Sequence, residues 1–163
     1  MFREMRRKKQ LLPEDACVAI LQNGISGVLA VLGDDGYPYA VPLSYVYHSG
    51  KLYFHCAKAG HKLDAIQQNP KASFCVVAQD EIVPEKFTTY FQSVIAFGKV
   101  RILENTEEKQ AAISLLAEKY APGVAGKQEE ILKGWNALCM LEMQIEHLTG
   151  KQAIELAKSH GMP

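Results

Sequence analysis

The alternation of apolar and polar positions changes period several times along the chain. Residues 13–24 run at helical spacing: Ala16, Cys17, Ile20 and Leu21 share one face, Pro13 suits the first helical position, and Glu14 and Asp15 suit the positive end of the dipole. Asn23-Gly24 supplies the stop. From Ile25 the period falls to two. Residues 25–32 predict a nearly all-apolar strand, and Asp34-Asp35-Gly36 a turn. Tyr37, Tyr39, Val41, Leu43, Tyr45 and Tyr47 then alternate with Pro38, Ala40, Pro42, Ser44 and Val46. That predicts one strand with a bulky face and a small face. Two prolines cannot both sit in a central ladder, so this strand is expected at an edge, at a bulge, or beside something other than a strand.

Further on, strands are predicted at 51–57, 72–78, 88–103 and 137–148, with Gly98 as a bulge. Residues 79–86 are expected as a polar loop. A short helix fits 60–68 and stops at Asn69-Pro70. Another begins at Asn105, with Glu108 as its capping-box partner and Ile113, Leu116, Ala117 and Tyr120 as its buried stripe. Residues 121–127 read as a loop, 128–135 as a short helix and 151–159 as a last helical turn or two. Six short strands joined mostly by hairpin turns predict a mainly β antiparallel barrel with a few peripheral helices. A parallel α/β fold would need a helix after each strand.

Composition narrows the function classes. The 163 residues are 48% hydrophobic and 22% charged, which predicts a single folded domain over 1–163. Eighteen basic and eighteen acidic side chains cancel, which argues against a general nucleic-acid binder. No apolar run approaches the roughly 20 residues that span a bilayer, so no membrane partner is expected. Residues 1–10 are basic without an apolar stretch behind them, unlike a secretory signal. They read as a mobile arm, and the expected location is the cytoplasm. Cys17, Cys56, Cys75 and Cys139 form no CxxC pair and are expected as reduced thiols, with no zinc site or disulfide framework.

Neither a GxGxxG nor a GxxxxGK[ST] loop is present, nor a GxSxG elbow or HExxH pair. The densest chemistry lies in residues 54–62, where Lys58, His61 and Lys62 crowd a predicted helix start. Cations are disfavoured there, because free backbone N–H groups already make that end positive. A bound anion resolves the conflict; a solvated basic corner is the alternative. His55 and Cys56, adjacent on a strand, face opposite ways and are not expected to share a metal. His147 reads as a core or interface histidine. Pro42-Leu43-Ser44 and the polar pair Gln92-Ser93 in an apolar strand are the other oddities, read either as solvated and hydrogen-bonded positions or as contacts to a polar ring system.

Residues 33–45, 52–57 and 60–62 together resemble the nitroimidazole-resistance (Nim) proteins, within the pyridoxamine 5′-phosphate oxidase-like flavoproteins. The resemblance continues through 74–77, 87–90 and 93–98 and returns weakly at 147–151. It implies a six-stranded Greek-key split β-barrel that forms a homodimer, with a flavin, FMN or alternatively FAD, at each subunit interface. The ring would lie along Val41, Pro42, Leu43 and Ser44 and along His55, Cys56 and Ala57. The phosphate would sit at His61 and Lys62. Gln92, Ser93 and Val94 would come from the facing subunit, and Lys151 would reach the flavin. His55 would face the substrate side as the catalytic candidate. The implied activity is reduction of a small electrophile such as a nitroaromatic, with NAD(P)H as electron donor. A non-catalytic flavin-storage protein is the alternative. The basic residues with which true pyridoxamine phosphate oxidases hold their substrate have no counterpart near the C-terminus.

Overall fold

The computed structural model describes residues 1–159; residues 160–163, the tail of the expected domain, lie outside the described residues. Its elements run β1 (Leu11–Leu12), α1 (Glu14–Asn23), β2 (Ser26–Leu32), β3 (Pro38–Ser44), β4 (Val46–His48), β5 (Lys51–Ala57), α2 (His61–Gln68), β6 (Lys71–Val83), β7 (Thr88–Ile102), α3 (Thr106–Tyr120), α4 (Lys127–Gly134), β8 (Leu138–Gln152) and α5 (Ile154–Ser159). All pairings are antiparallel, in the order β3-β2-β6-β7-β8-β5-β4, with β1 added to β8. The two edge strands, β3 and β4, are consecutive in the chain and separated by Tyr45 alone. The sheet therefore curls until its edges meet at one corner without closing, which makes it a split barrel.

Pro38 and Pro42 lie on β3, which pairs only with β2, so the edge position expected from the prolines is what the chain adopts. The single strand expected over residues 37–47 is broken at Tyr45, where the alternation continues but the chain turns the corner. Tyr120 on α3 holds that corner. Its hydroxyl accepts from Tyr45 N at 2.8 Å and reaches the carbonyls of Tyr45 and Ile25. Tyr45 itself is buried, its ring 4.8 Å from Phe74, which lies 5.0 Å from Phe54 in the barrel core.

Eight strands replace the expected six, and the differences have physical reasons. Residues 79–83, expected as loop, continue β6 and pair with β7 past a register shift between Val77 and Gln79. This hairpin is solvated on both sides, so Gln79, Asp80 and Glu81 carry no alternation. β8 runs on to Gln152, placing Lys151 on a strand instead of a helix; α5 starts only at Ile154. The Gly98 bulge is present, since register shifts between Phe97 and Gly98, where a Cβ would lie 2.0 Å from Gln144 O. Asn105 caps α3 by accepting from Glu107 N and Glu108 N (2.9 and 3.0 Å). Glu108 does not complete the expected box; its carboxylate takes Arg101 at 2.8 Å instead. The expected free arm is partly anchored: Phe2 stacks on His147 (4.7 Å, 8°) and Gln10 is buried. The segment is basic in sequence, but its one aromatic ring carries the contact.

A second, smaller core forms where α3 lays Ala112 and Leu116 over Val46, Leu103 and Met140. β5 and β8 are thus covered on their outer side by α3. The outer sides of β2, β3, β6 and β7 keep exposed apolar side chains, including Val28, Val77 and Ile95.

Candidate functional site

α2 begins at Gly60, whose φ of 132° and ψ of 162° suit glycine. Leu63 N and Asp64 N bond back to Gly60 O (2.9 and 3.3 Å). The earlier N–H groups of the first turn have no intrahelical acceptor, and no side chain caps them. The helix start is an open ring of donors, bordered by Lys58, His61 and Lys62. His61 is fixed by its ring on Tyr39, centroids 4.2 Å apart, and by Asp34 Oδ2 3.6 Å from Nε2. Gly33 makes room for that imidazole, since a Cβ there would lie 2.9 Å from Nε2. Lys62 is half-buried beside Cys56. Burial pushes the Cys56 thiol up to about 11, Cys139 adds to the rise and the Lys62 ammonium opposes it. The start of α2, β3 through Tyr39 and the end of β5 through Cys56 therefore meet in one place.

On β3, Tyr39, Val41 and Leu43 turn half-buried toward the barrel core, while Pro38, Ala40, Pro42 and Ser44 are exposed outside. On β5, His55 and Ala57 are exposed on the face opposite Cys56. Ladder register carries the outer face of β3 across the sheet. Pro42 pairs with Val28, Val28 with Cys75, Cys75 with Ile95 and Ile95 with Thr149. The neighbouring row is Ala40, Ala30, Ser73, Phe97 and His147. Small and apolar side chains dominate both rows, and Val28, Ile95 and Val77 remain 40%, 36% and 62% exposed. Contiguous exposed apolar surface of this kind marks a face that something covers.

Ser93 on β7 and Lys151 on β8 lie across that face, three and four strands from β3, whereas Gln92, which alternates with Ser93, points to the other side of β7 with Val94. Ser93 pairs with Lys151 in the ladder, and Lys151 Nζ sits 5.3 Å above the Phe91 ring. Gln92 Nε2 donates to Gln152 Oε1 at 3.3 Å. Val94 is 0% exposed, its side chain inside the barrel, which leaves its backbone as the part that faces the surface. One chain therefore assembles two separate groups at opposite margins of one apolar face. Sequence reasoning missed Tyr39 as the support for His61, although the aromatic alternation marked it. Gln152 lies past the expected end of the last strand at residue 148, on the stretch of β8 that continues beside β7.

A cavity of about 610 Å³ lies elsewhere, between α3 and the β4–β5 hairpin, and is lined by Lys51, Glu108 and Glu142 among others. Burial pushes the Glu142 carboxyl up, but bonds from Arg101 (2.8 Å) and Lys51 (2.9 Å) outweigh it and hold the group below the usual carboxylate range. With that charge paired on both oxygens, the cavity reads as packing between α3 and the sheet.

The fold and these margins define a split-barrel protein. Residues 13–152 match the pyridoxamine 5′-phosphate oxidase family, and the chain belongs to it. An uncharacterised protein of Rhizobium meliloti (strain 1021) is 26% identical over 151 residues, covering 88% of this chain and 95% of its own. Among solved structures, a candidate 5-nitroimidazole antibiotic resistance protein of Bacteroides thetaiotaomicron superposes with a TM-score of 0.76 at 19% identity, over 87% of this chain and 86% of its own. A FAD-binding protein of Mesorhizobium loti superposes with a TM-score of 0.65 at 25% identity, over 88% and 97%.

Proposed function

We propose that two copies of this chain hold a flavin between them, FMN in preference to FAD, and that the complex reduces a small electrophile such as a nitroaromatic. The observation that carries this reading is an uncapped, cation-bordered helix start at the margin of an apolar sheet face that Phe2 covers only at its Phe97–His147 end. A phosphate fits the first, because α2 N–H groups and Lys62 converge there. A flat, largely apolar ring system fits the second. The FAD-binding relative from Mesorhizobium loti adds support.

The roles of the chain's own residues follow. Lys62 and the first-turn N–H groups hold the phosphate, with His61 kept in place by Tyr39 and Asp34. Pro42 and Ser44 present the edge of β3 to the ring, and the free carbonyls and N–H groups of an edge strand supply polar contacts. A two-fold axis through the apolar face brings Ser93 and Lys151 of one copy, with Gln92 and Gln152 behind them, to the β3 and α2 margin of the other, and excludes water from the rows around Val28 and Ile95. His55, exposed beside this margin, holds a proton for the reduced product. Val41, Leu43, Cys56 and Ala57 shape the strands around the site, and Val94 contributes through its backbone alone. A bound flavin supplies the two-electron redox chemistry, with NAD(P)H as donor. Among the described residues the C-terminal segment offers no counterpart of the basic residues that hold a substrate phosphate in true pyridoxamine phosphate oxidases, which favours a neutral electrophile over pyridoxamine phosphate.

The test is a visible spectrum of the purified protein, followed by NADH and NADPH oxidation with a nitroimidazole acceptor. Yellow protein with acceptor-dependent turnover supports the reading. Protein that is colourless and leaves the fluorescence of added FMN and FAD unchanged overturns it. Yellow protein without turnover overturns only the reductase assignment and leaves flavin storage.

A further inference from the structure

The β5–β8 ladder sets two of the four cysteines against each other. Cys56 and Cys139 are direct cross-strand partners, and both pack against the barrel core. In the same ladder Ile145 N donates to Gly50 O at 3.1 Å, so Gly50 and Ile145 are a hydrogen-bonded pair. Hydrogen-bonded and open pairs alternate, which makes Cys56–Cys139 a hydrogen-bonded pair as well. Such pairs keep their Cα atoms about 5.5 Å apart, inside the disulfide range. Their Cβ atoms, up to about 5.5 Å apart, must approach to about 4 Å for a bond to form. The bridge would thus be reachable but strained. The other two thiols have no such partner: Cys17 faces Leu12 O, and the ladder neighbours of Cys75 are Val28 and Ile95.

Cys139 also has an approach. It lines a cavity of about 400 Å³ with Lys58, Gln67, Glu104 and Lys109. Lys109 Nζ lies 4.1 Å over the Trp135 ring and donates to Trp135 O at 3.1 Å. Burial pushes the Lys109 ammonium below its ordinary range, nearby Lys58 pushes it further, and Cys139 opposes this. The two cations and one carboxylate leave the entrance positive, a setting that attracts anions.

We infer that Cys139 and Cys56 form a thiol–disulfide exchange site for small disulfides that carry carboxylates. Cys139 gives its proton to water and its sulfur attacks one sulfur of the reagent. The reagent's S–S bond breaks, and one half leaves as a thiolate that takes up a proton. Cys56 then loses its proton, attacks Cys139 Sγ and expels the second half, which leaves as a thiol. Two protein thiols are oxidised to one disulfide and the reagent is reduced to two thiols. The order is set by the cavity, which Cys139 lines and its cross-strand neighbour Cys56 does not. A strained bridge of this kind is readily reduced again. The inference stands on the strand pairing and the cavity and needs no bound flavin, although Cys56 and Lys58 also border the proposed flavin site.

The full, reduced chain is incubated with oxidised glutathione or with the uncharged bis(2-hydroxyethyl) disulfide, and followed by intact mass and peptide mapping. The expected product has lost two hydrogens and links the Cys56 and Cys139 peptides. Cys56→Ser should accumulate a single glutathione adduct on Cys139, and Cys139→Ser should form no adduct at Cys56. Lys58→Ala, at an exposed side chain, should slow oxidised glutathione roughly fivefold relative to the uncharged reagent, the effect of one nearby charge in water. The inference is overturned if folded wild-type protein stays fully reduced under conditions where the unfolded chain reacts. It is equally overturned if mapping places the modification on Cys17 or Cys75.

Discussion

Replacing Lys62 by alanine separates a phosphate contact from a structural one. Lys62 is the second residue of α2, half-buried, at a helix start that no side chain caps. A hydrogen bond to a charged group contributes about 1.5–3 kcal/mol, and partial exposure places this one toward the lower end. Each 1.4 kcal/mol is about tenfold in affinity, so FMN binding should weaken roughly ten- to thirtyfold. The first-turn N–H groups and Lys58 remain, which keeps the loss from being complete. Without flavin, the same substitution removes a cation from the positive end of a helix, where it opposes the dipole by about 0.3–1 kcal/mol. The apo-protein should therefore melt at the same temperature or slightly higher. Fluorescence titration with FMN and riboflavin, with melting of the apo-protein, reads all three quantities. Riboflavin lacks the phosphate, so its affinity should hardly change. Equal losses for FMN and riboflavin, or a destabilised apo-protein, would refute the phosphate role.

Other outcomes follow from the same geometry. Glu142→Gln breaks charged bonds to Lys51 and Arg101 in a buried position and should lower stability by about 2–3 kcal/mol at neutral pH, read from the urea midpoint. Because the folded carboxyl titrates below its unfolded range, its stabilisation is present above the unfolded pKa and lost as pH falls through the folded one; the wild-type advantage should shrink in acid, and an advantage that grows there would contradict the assignment. Gly98→Ala would place a Cβ 2.0 Å from a backbone oxygen and should cost about 3 kcal/mol or more; a near-neutral effect would mean that the bulge is wrongly placed.

Much of this architecture is legible from alternation and turn chemistry. The prolines of β3 announce an edge strand, Gly98 announces a bulge, and Asn105 announces a helix start, because each residue type has few backbone options. The corner at Tyr45 is not legible, since it depends on Tyr120 arriving from 75 residues away. The β6–β7 hairpin hides because a two-sided solvated ribbon has no apolar period. At the candidate site, the crowd of cations at Gly60–Lys62 is visible in one dimension, whereas its support by Tyr39 and Asp34 needs the barrel. Val94 shows the opposite limit: a family-derived position whose side chain the strand's alternation sends into the core. The separation of Ser93 and Lys151 from β3 appears only once the strand order is known.

The central claim is that a flavin is held between two copies of this chain across the apolar face. Sedimentation at micromolar concentration, recorded simultaneously at protein and flavin wavelengths, tests it most directly. The account predicts that flavin absorbance travels with a species of twice the chain mass at one flavin per chain, and that Ile95→Asp, which puts a charge on the shared face, releases flavin and yields monomers together. Flavin sedimenting with a monomer, or a dimer that survives Ile95→Asp with its flavin intact, would contradict it.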